Sequence, residues 1–122
     1  MLLQKLRLKN VRSYMDETIN FQDGSTLLSG DIGSGKSTIL LAIEFALFGT
    51  SRPDLPGEAL LRKGTILASV ELTFTLNGQQ IIIKRNLKKE RDNIKQLAGH
   101  LIINNSKRDL TPVELKAEII SL

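Results

Sequence analysis

Leu6 and Leu8 fall on one face of the first ten residues, and Lys5, Arg7 and Lys9 on the other. That two-residue period predicts a half-buried strand over Leu2–Asn10. A second short strand is expected over Thr18–Phe21. The turn at Asp23 and Gly24 leads to a third over Thr26–Ser29, carrying the apolar pair Leu27 and Leu28. From Lys36 the period lengthens: Ile39, Ala42, Ile43 and Ala46 recur at spacings of three and four, with Leu40, Leu47 and Phe48 on flanking faces. Such breadth predicts a helix from Lys36 to Phe48 buried on most sides, and Gly49 is placed to end it. Pro53 and Pro56 make Thr50–Gly57 a loop, and Glu58–Lys63 reads as one helical turn.

Alternation returns at Ala68–Leu76, with Ala68, Val70, Leu72, Phe74 and Leu76 on one face. Asn77-Gly78 is a type I′ hairpin signal, because both central residues of that turn need positive φ. Its return strand is Gln80–Arg85. Leu101–Ile103 forms another strand, closed by a polar turn over Asn104–Arg108. Thr111 then reads as an N-cap, Pro112 as the first helical residue and Glu114 as the partner in a capping box. No C-cap precedes Leu122, an end that reads as a truncation. At 122 residues, without repeat, low-complexity segment or linker, one domain or part of one is expected. The fold class is α/β: the helix from about Lys36 packs on a mixed sheet, with an antiparallel region over residues 66–103.

Composition removes several classes of function. There is no cysteine, so disulfide frameworks and thiolate metal sites are excluded. A cytoplasmic setting fits, nucleoid-associated in a prokaryote. The longest apolar run, Ile39–Phe48, is about half of a membrane span and Glu44 interrupts it. The N-terminus lacks the features of a signal peptide, so a soluble protein with no membrane partner is expected. Net charge is +4, and it is unevenly placed: Lys84, Arg85, Lys88, Lys89, Arg91 and Lys95 stand against Glu90 and Asp92 within twelve residues. A local basic cluster attracts nucleic acid; the plainer expectation is a solvated strand end and loop.

One motif carries chemistry. Gly30, Gly35, Lys36 and Ser37 satisfy G-x-x-x-x-G-K-[ST] within GDIGSGKS. Glycines at 30, 33 and 35 let the backbone take positive φ and approach phosphates unobstructed. The row of N–H groups, at the positive end of the following helix, makes an anion nest. Lys36 reaches the β- and γ-phosphates of ATP, and the Ser37 hydroxyl is a ligand for Mg²⁺. A chance match in a chain of this length has odds on the order of half a percent, and a strand before and a helix after strengthen it.

Hydrolysis needs a second carboxylate at the end of an apolar strand, to hold Mg²⁺ and orient water. Leu101-Ile102-Ile103 comes nearest, and it runs into Asn104 and Asn105. The chain is thus equipped to bind nucleotide and poorly equipped to hydrolyse it. Arg12, just after the first strand, is within reach of the phosphates on pattern alone, and equally an ordinary surface arginine. Asp31, Ile32 and Ser34 lie inside the loop. Thr38 reads as a first-turn helix residue, His100 as structural and Glu44 as part of the exposed helix face.

Several segments together resemble one family. Lys9-Asn10-Val11-Arg12-Ser13-Tyr14, GDIGSGKSTIL and Ala42–Gly49 look like the N-terminus of the SMC-like DNA double-strand-break repair ATPases of the Rad-fifty (SbcC) type. Ser69–Phe74 and Ile83-Lys84-Arg85 are similar too. The resemblance covers nearly the whole chain. It implies the N-terminal lobe of an ABC-type P-loop ATPase head. A C-terminal lobe of the same ATPase would bring the signature motif, the Walker B strand and a histidine switch; a coiled coil with a zinc hook joins the two. It also implies ATP-driven pairing with a second head, an Mre-type nuclease partner and DNA. By the same resemblance Arg12 and Ser13 lie near the phosphates, and Gly33, Ser34, Gly35, Lys36, Ser37 and Thr38 match the phosphate loop, with Lys36 on phosphate and Ser37 on magnesium. Ile32 stands where the family usually has Asn, which puts a side-chain contact from that position in doubt.

Alternatives are a self-contained small P-loop kinase or NTPase, a nucleotide-gated binding module without turnover, and an ABC transporter subunit. No N-K-x-D guanine motif is present. A half-head is expected to leave apolar surface exposed on its central sheet, and so to self-associate unless covered.

Overall fold

The computed structural model describes residues 2–12, 14–21, 35–48, 61–91 and 93–121, with the backbone alone for residues 35–37, 93 and 120. The expected strand over Thr26–Ser29, the Gly-rich segment up to Ser34, Gly49 and the loop over Thr50–Gly57 lie outside the described residues. Among the described residues eight elements follow in chain order: β1 (Leu2–Val11), β2 (Tyr14–Asn20), α1 (Gly35–Phe48), β3 (Leu67–Leu76), β4 (Gln79–Glu90), β5 (Asn93–Ile103), β6 (Ser106–Leu110) and α2 (Pro112–Ile120).

The strands form one sheet in the order β2-β1-β3-β4-β5-β6. All five pairings among them are antiparallel. Alternation decides the core face. Leu6 lies opposite Leu72, Leu72 opposite Ile83 and Ile83 opposite Leu101, and all four are buried. Full burial of each such side chain is worth roughly 1.5–3 kcal/mol. A neighbouring row joins Phe74 to Ile81. Helix α1 packs against β1, β3 and β4; α2 packs against β5, β6 and α1. Leu115 is the fully buried residue through which α2 joins the core.

The turns follow their side-chain chemistry. Asn77 and Gly78 have φ of 52° and 77°, and Asn104 and Asn105 have 50° and 68°; both pairs adopt the left-handed values that a two-residue hairpin needs. The capping box closes as expected: the Glu114 N–H donates to Thr111 Oγ1 at 3.2 Å, and the Thr111 N–H to Glu114 Oε1 at 2.9 Å. Those bonds hold the Glu114 carboxyl below the usual carboxylate range.

Five expectations change. Strand β2 begins at Tyr14, not Thr18, because β1 turns back at once and Val11 pairs with Tyr14. Leu61 forms an antiparallel bridge to Val11, and the residues after it make a turn at Lys63-Gly64, Gly64 having φ 84°. No helical turn occupies the described part of Glu58–Lys63. Residues 84–95 are not a strand end and loop: β4 runs to Glu90 and β5 starts at Asn93, so the basic residues lie along the two arms of a hairpin, apart from Arg91, which follows β4 in the turn. Ser106–Arg108, expected as turn, belongs to strand β6, the border of the sheet among the described residues, and its charged residues suit such a place. Helix α2 ends at Ile120 with Ser121 as its C-cap, whose N–H donates to the Ala117 carbonyl at 3.2 Å.

Helix α1 also differs from expectation. Only one face is buried, through Thr38, Ile39, Ala42, Phe45 and Ala46, while Leu40 and Phe48 are 39% and 41% exposed. The apolar breadth of this helix exceeds what the described residues cover. Leu2, Met15, Ile66, Leu67 and Val113 are exposed as well.

Candidate nucleotide-binding site

The first turn of α1 contains Gly35, Lys36 and Ser37. No acidic residue occupies that turn, so the positive end of the helix is not offset by a carboxylate of its own. Thr38 is 4% exposed and faces the core, next to Ile39. Of the other residues singled out in sequence, Ser13, Gly30, Asp31, Ile32, Gly33 and Ser34 lie outside the described residues. Among the described residues no group of three or more Asp, Glu and His side chains gathers in metal-ligating fashion.

Arg12 sits at the corner between β1 and β2 with φ 52°. Left-handed backbone is uncommon for a residue other than glycine or asparagine and marks a place held by its surroundings. Those surroundings are visible. The Arg62 N–H donates to the Asn10 carbonyl at 2.9 Å, and Arg62 Nη1 donates to the Arg12 carbonyl at 3.2 Å. Asn10, also at positive φ, donates from Nδ2 to the Leu67 carbonyl at 2.9 Å. Residues 61–62 thereby brace the corner that carries Arg12. Arg62, Lys63, Gly64 and Lys89 also line a cavity of about 350 Å³ with Leu61, Thr65 and Ile94. No periodicity or motif in the sequence singles out Arg62.

The carboxyl end of α1 meets an unexpected partner. Arg85 of β4 is 1% exposed. Its Nε donates to the Ala46 carbonyl at 2.8 Å, Nη2 to the Leu47 carbonyl at 3.3 Å and Nη1 to Gln96 Oε1 at 3.0 Å. Burial brings its pKa down to about 10, which still leaves it charged at neutral pH. Arg85 therefore does not belong to the solvated basic cluster in which the sequence places it. Parity is the signal that finds it: Ile81, Ile83 and Leu87 all point inward, and Arg85 stands in their register.

Of the five remaining basic residues of the hairpin Lys84 is half-buried and the other four are accessible. Lys88, Lys89, Arg91 and Lys95 are exposed, and Lys88 lies directly opposite Lys95. Like charges across a strand pair repel. On the outer face His100 Nε2 lies 3.9 Å from Glu71 Oε2, and burial lowers the pKa of that imidazole.

Comparison with known proteins agrees with this architecture. Residues 5–121 match the family described as AAA domain. A DNA double-strand break repair Rad50 ATPase of Sulfolobus acidocaldarius is 33% identical over 113 residues, which are 91% of this chain and 13% of that protein. The Rad50 ATPase of Archaeoglobus fulgidus is 42% identical over 84 residues, 69% of this chain and 10% of that one. The chain thus spans about a tenth of the length of these curated relatives. A solved structure of an SMC ATPase, studied for ATP-driven dimerization and DNA-stimulated activation, superposes with a TM-score of 0.68 at 26% identity. It covers 99% of this chain and 78% of that one. The α/β fold is that of a P-loop NTPase lobe, and the chain belongs to the AAA domain family, as an SMC-like member similar to the Rad50 ATPases.

Proposed function

We propose that this chain is the ATP-binding, N-terminal lobe of an ABC-type ATPase head that acts in DNA double-strand-break repair. The observation that carries the reading is the place of Gly35, Lys36 and Ser37: the end of the phosphate-loop motif forms the first turn of α1, and that turn holds no acid. A helix amino end whose first turn holds no carboxylate suits the phosphates of a nucleotide. In this reading Gly30–Gly35 supply backbone N–H groups, Lys36 holds the β- and γ-phosphates, and Ser37 gives its hydroxyl to magnesium. Arg12, at the β1–β2 corner, and its neighbour Ser13 serve the phosphates in the same reading. Mg²⁺ held by Ser37 would offset the charge of the phosphates.

The activity of the relatives supports hydrolysis by a completed head, with a C-terminal lobe bringing the second carboxylate. The exposed Leu40 and Phe48 of α1 are apolar area for that lobe to cover. A second head and an Mre-type nuclease complete the partners. The test is to follow MgATP binding and steady-state hydrolysis on the same samples of this chain. Binding without turnover is the expected result. Turnover by the chain alone would mean a complete small enzyme, and the half-head reading would fall.

DNA is the proposed polyanion for the β4–β5 hairpin. Lys88 facing Lys95 is a repulsive pair in the free protein that phosphates would relieve. Replacing Lys88, Lys89 and Arg91 together by Gln in the assembled head is expected to weaken duplex binding. It should also flatten the dependence of log K on log salt by roughly two to three. An unchanged slope would remove the hairpin from the interface.

A further inference from the structure

We propose that Arg85 is a positioning residue for the nucleotide site: it clamps the carboxyl end of α1 to the β4–β5 hairpin and so fixes where the helix presents its amino end. The inference rests on reading that amino end as the phosphate site.

The last carbonyls of an α-helix lack intrahelical N–H partners. Ala46 and Leu47 stand in the last turn of α1, and Arg85 satisfies both from across the sheet. That turn has no basic residue of its own, so the cation that complements the negative helix end comes from β4. Burying a guanidinium is costly unless its donors are used. At a position in register with Ile81, Ile83 and Leu87 an aliphatic side chain would pack without that cost. The arginine is explained by what it does for the helix end.

Its own placement is over-determined. The β4–β5 register passes from Lys84 opposite His100 to Asn86 opposite Leu97, so Arg85 faces two residues, Ala98 and Gly99. Asn86 Nδ2 holds the Ala98 carbonyl at 2.9 Å. A Cβ on Gly99 would strike the Lys84 carbonyl oxygen, so the close strand approach requires glycine there. Bulges of this kind re-aim side chains beside functional sites. Gln96, farther along β5, then orients the guanidinium. The chain of contacts runs from β5 through Gln96 and Arg85 to the end of α1. At 14 residues the helix is about 21 Å long. A rigid helix that tilts at one end moves at the other, and phosphate contacts tolerate little displacement.

The experiment compares Arg85→Met, Arg85→Lys and Gln96→Leu in the full chain, by amide hydrogen exchange and by MgATP affinity. Arg85→Met keeps apolar volume and leaves two carbonyls unpaired. It is expected to speed exchange along α1 as far back as Ile39–Ile43, ahead of the sheet, and to weaken MgATP binding about tenfold. Arg85→Lys should recover part of both effects, and Gln96→Leu should show a smaller loss in the same direction. Faster exchange confined to Ala46–Phe48, or uniform over α1 and the sheet with affinity unchanged, would overturn the proposal. If Arg85→Met does not fold, Gln96→Leu decides by the same two readouts. Should the wild-type chain show no Lys36-dependent MgATP binding, the nucleotide reading fails on its own, and the exchange pattern still decides the clamp.

Discussion

Lys36→Ala is expected to weaken MgATP binding by roughly a hundredfold or more, with no change in fold. A charge-assisted contact to phosphate is lost, and the phosphate charge is left facing a site without its main cation. Changes of this kind cost about 2–5 kcal/mol, and a hundredfold corresponds to about 2.8 kcal/mol. The structure explains why stability should be spared. The buried face of α1 is made by Thr38, Ile39, Ala42, Phe45 and Ala46, and Lys36 precedes it in the first turn. Equilibrium titration with a fluorescent ATP analogue, beside thermal melts of both proteins, separates the two effects. Equal affinity in the variant would remove the phosphate-loop reading of Gly30–Ser37.

Phe45→Ala is expected to act in the opposite way, on the fold first. Phe45 is fully buried and among the largest such side chains. Truncation of a buried phenylalanine costs about 3–5 kcal/mol, through lost burial and the cavity left behind. Set against a typical domain stability of about 5–15 kcal/mol, this is a large fraction. The urea midpoint should fall accordingly. Any loss of nucleotide binding should track the unfolded fraction and recover under conditions that restore folding. A midpoint close to wild type would contradict the seating of α1 on β1, β3 and β4.

Much of the fold was legible where apolar periodicity and turn chemistry coincide. The alternation of Leu6 and Leu8 and of Val70, Leu72 and Phe74 gave the right core face, the Asn77-Gly78 turn the right conformation, and Thr111 with Glu114 the right cap. Legibility ended where hydrogen-bond ladders hold strands that have little apolar content. Lys88, Lys89 and Glu90 are in β4 because they pair with Lys95, Ile94 and Asn93, and β6 pairs along its length with β5 while burying only Leu110. Neither fact leaves a hydrophobic period to read. Arg85 was missed because its helix partners lie 38 and 39 residues away, and because residue type outweighed parity. At the candidate site the motif itself was plain in sequence. The bracing of Arg12 by Arg62 was not, since it depends on the Val11 to Leu61 bridge that brings two distant segments together.

The order of the strands has a consequence for how the chain assembles. From β3 to β6 each strand pairs with the next, from which only two residues of chain separate it, so these contacts close with little loss of chain entropy. Pairing β1 with β3 instead brings Val11's strand to Leu67's across the whole segment that carries α1. Low-separation contacts form first as a rule. The meander from β3 to β6 is therefore the natural nucleus, and β1 with α1 condenses onto its β3 border afterwards, on a platform already built.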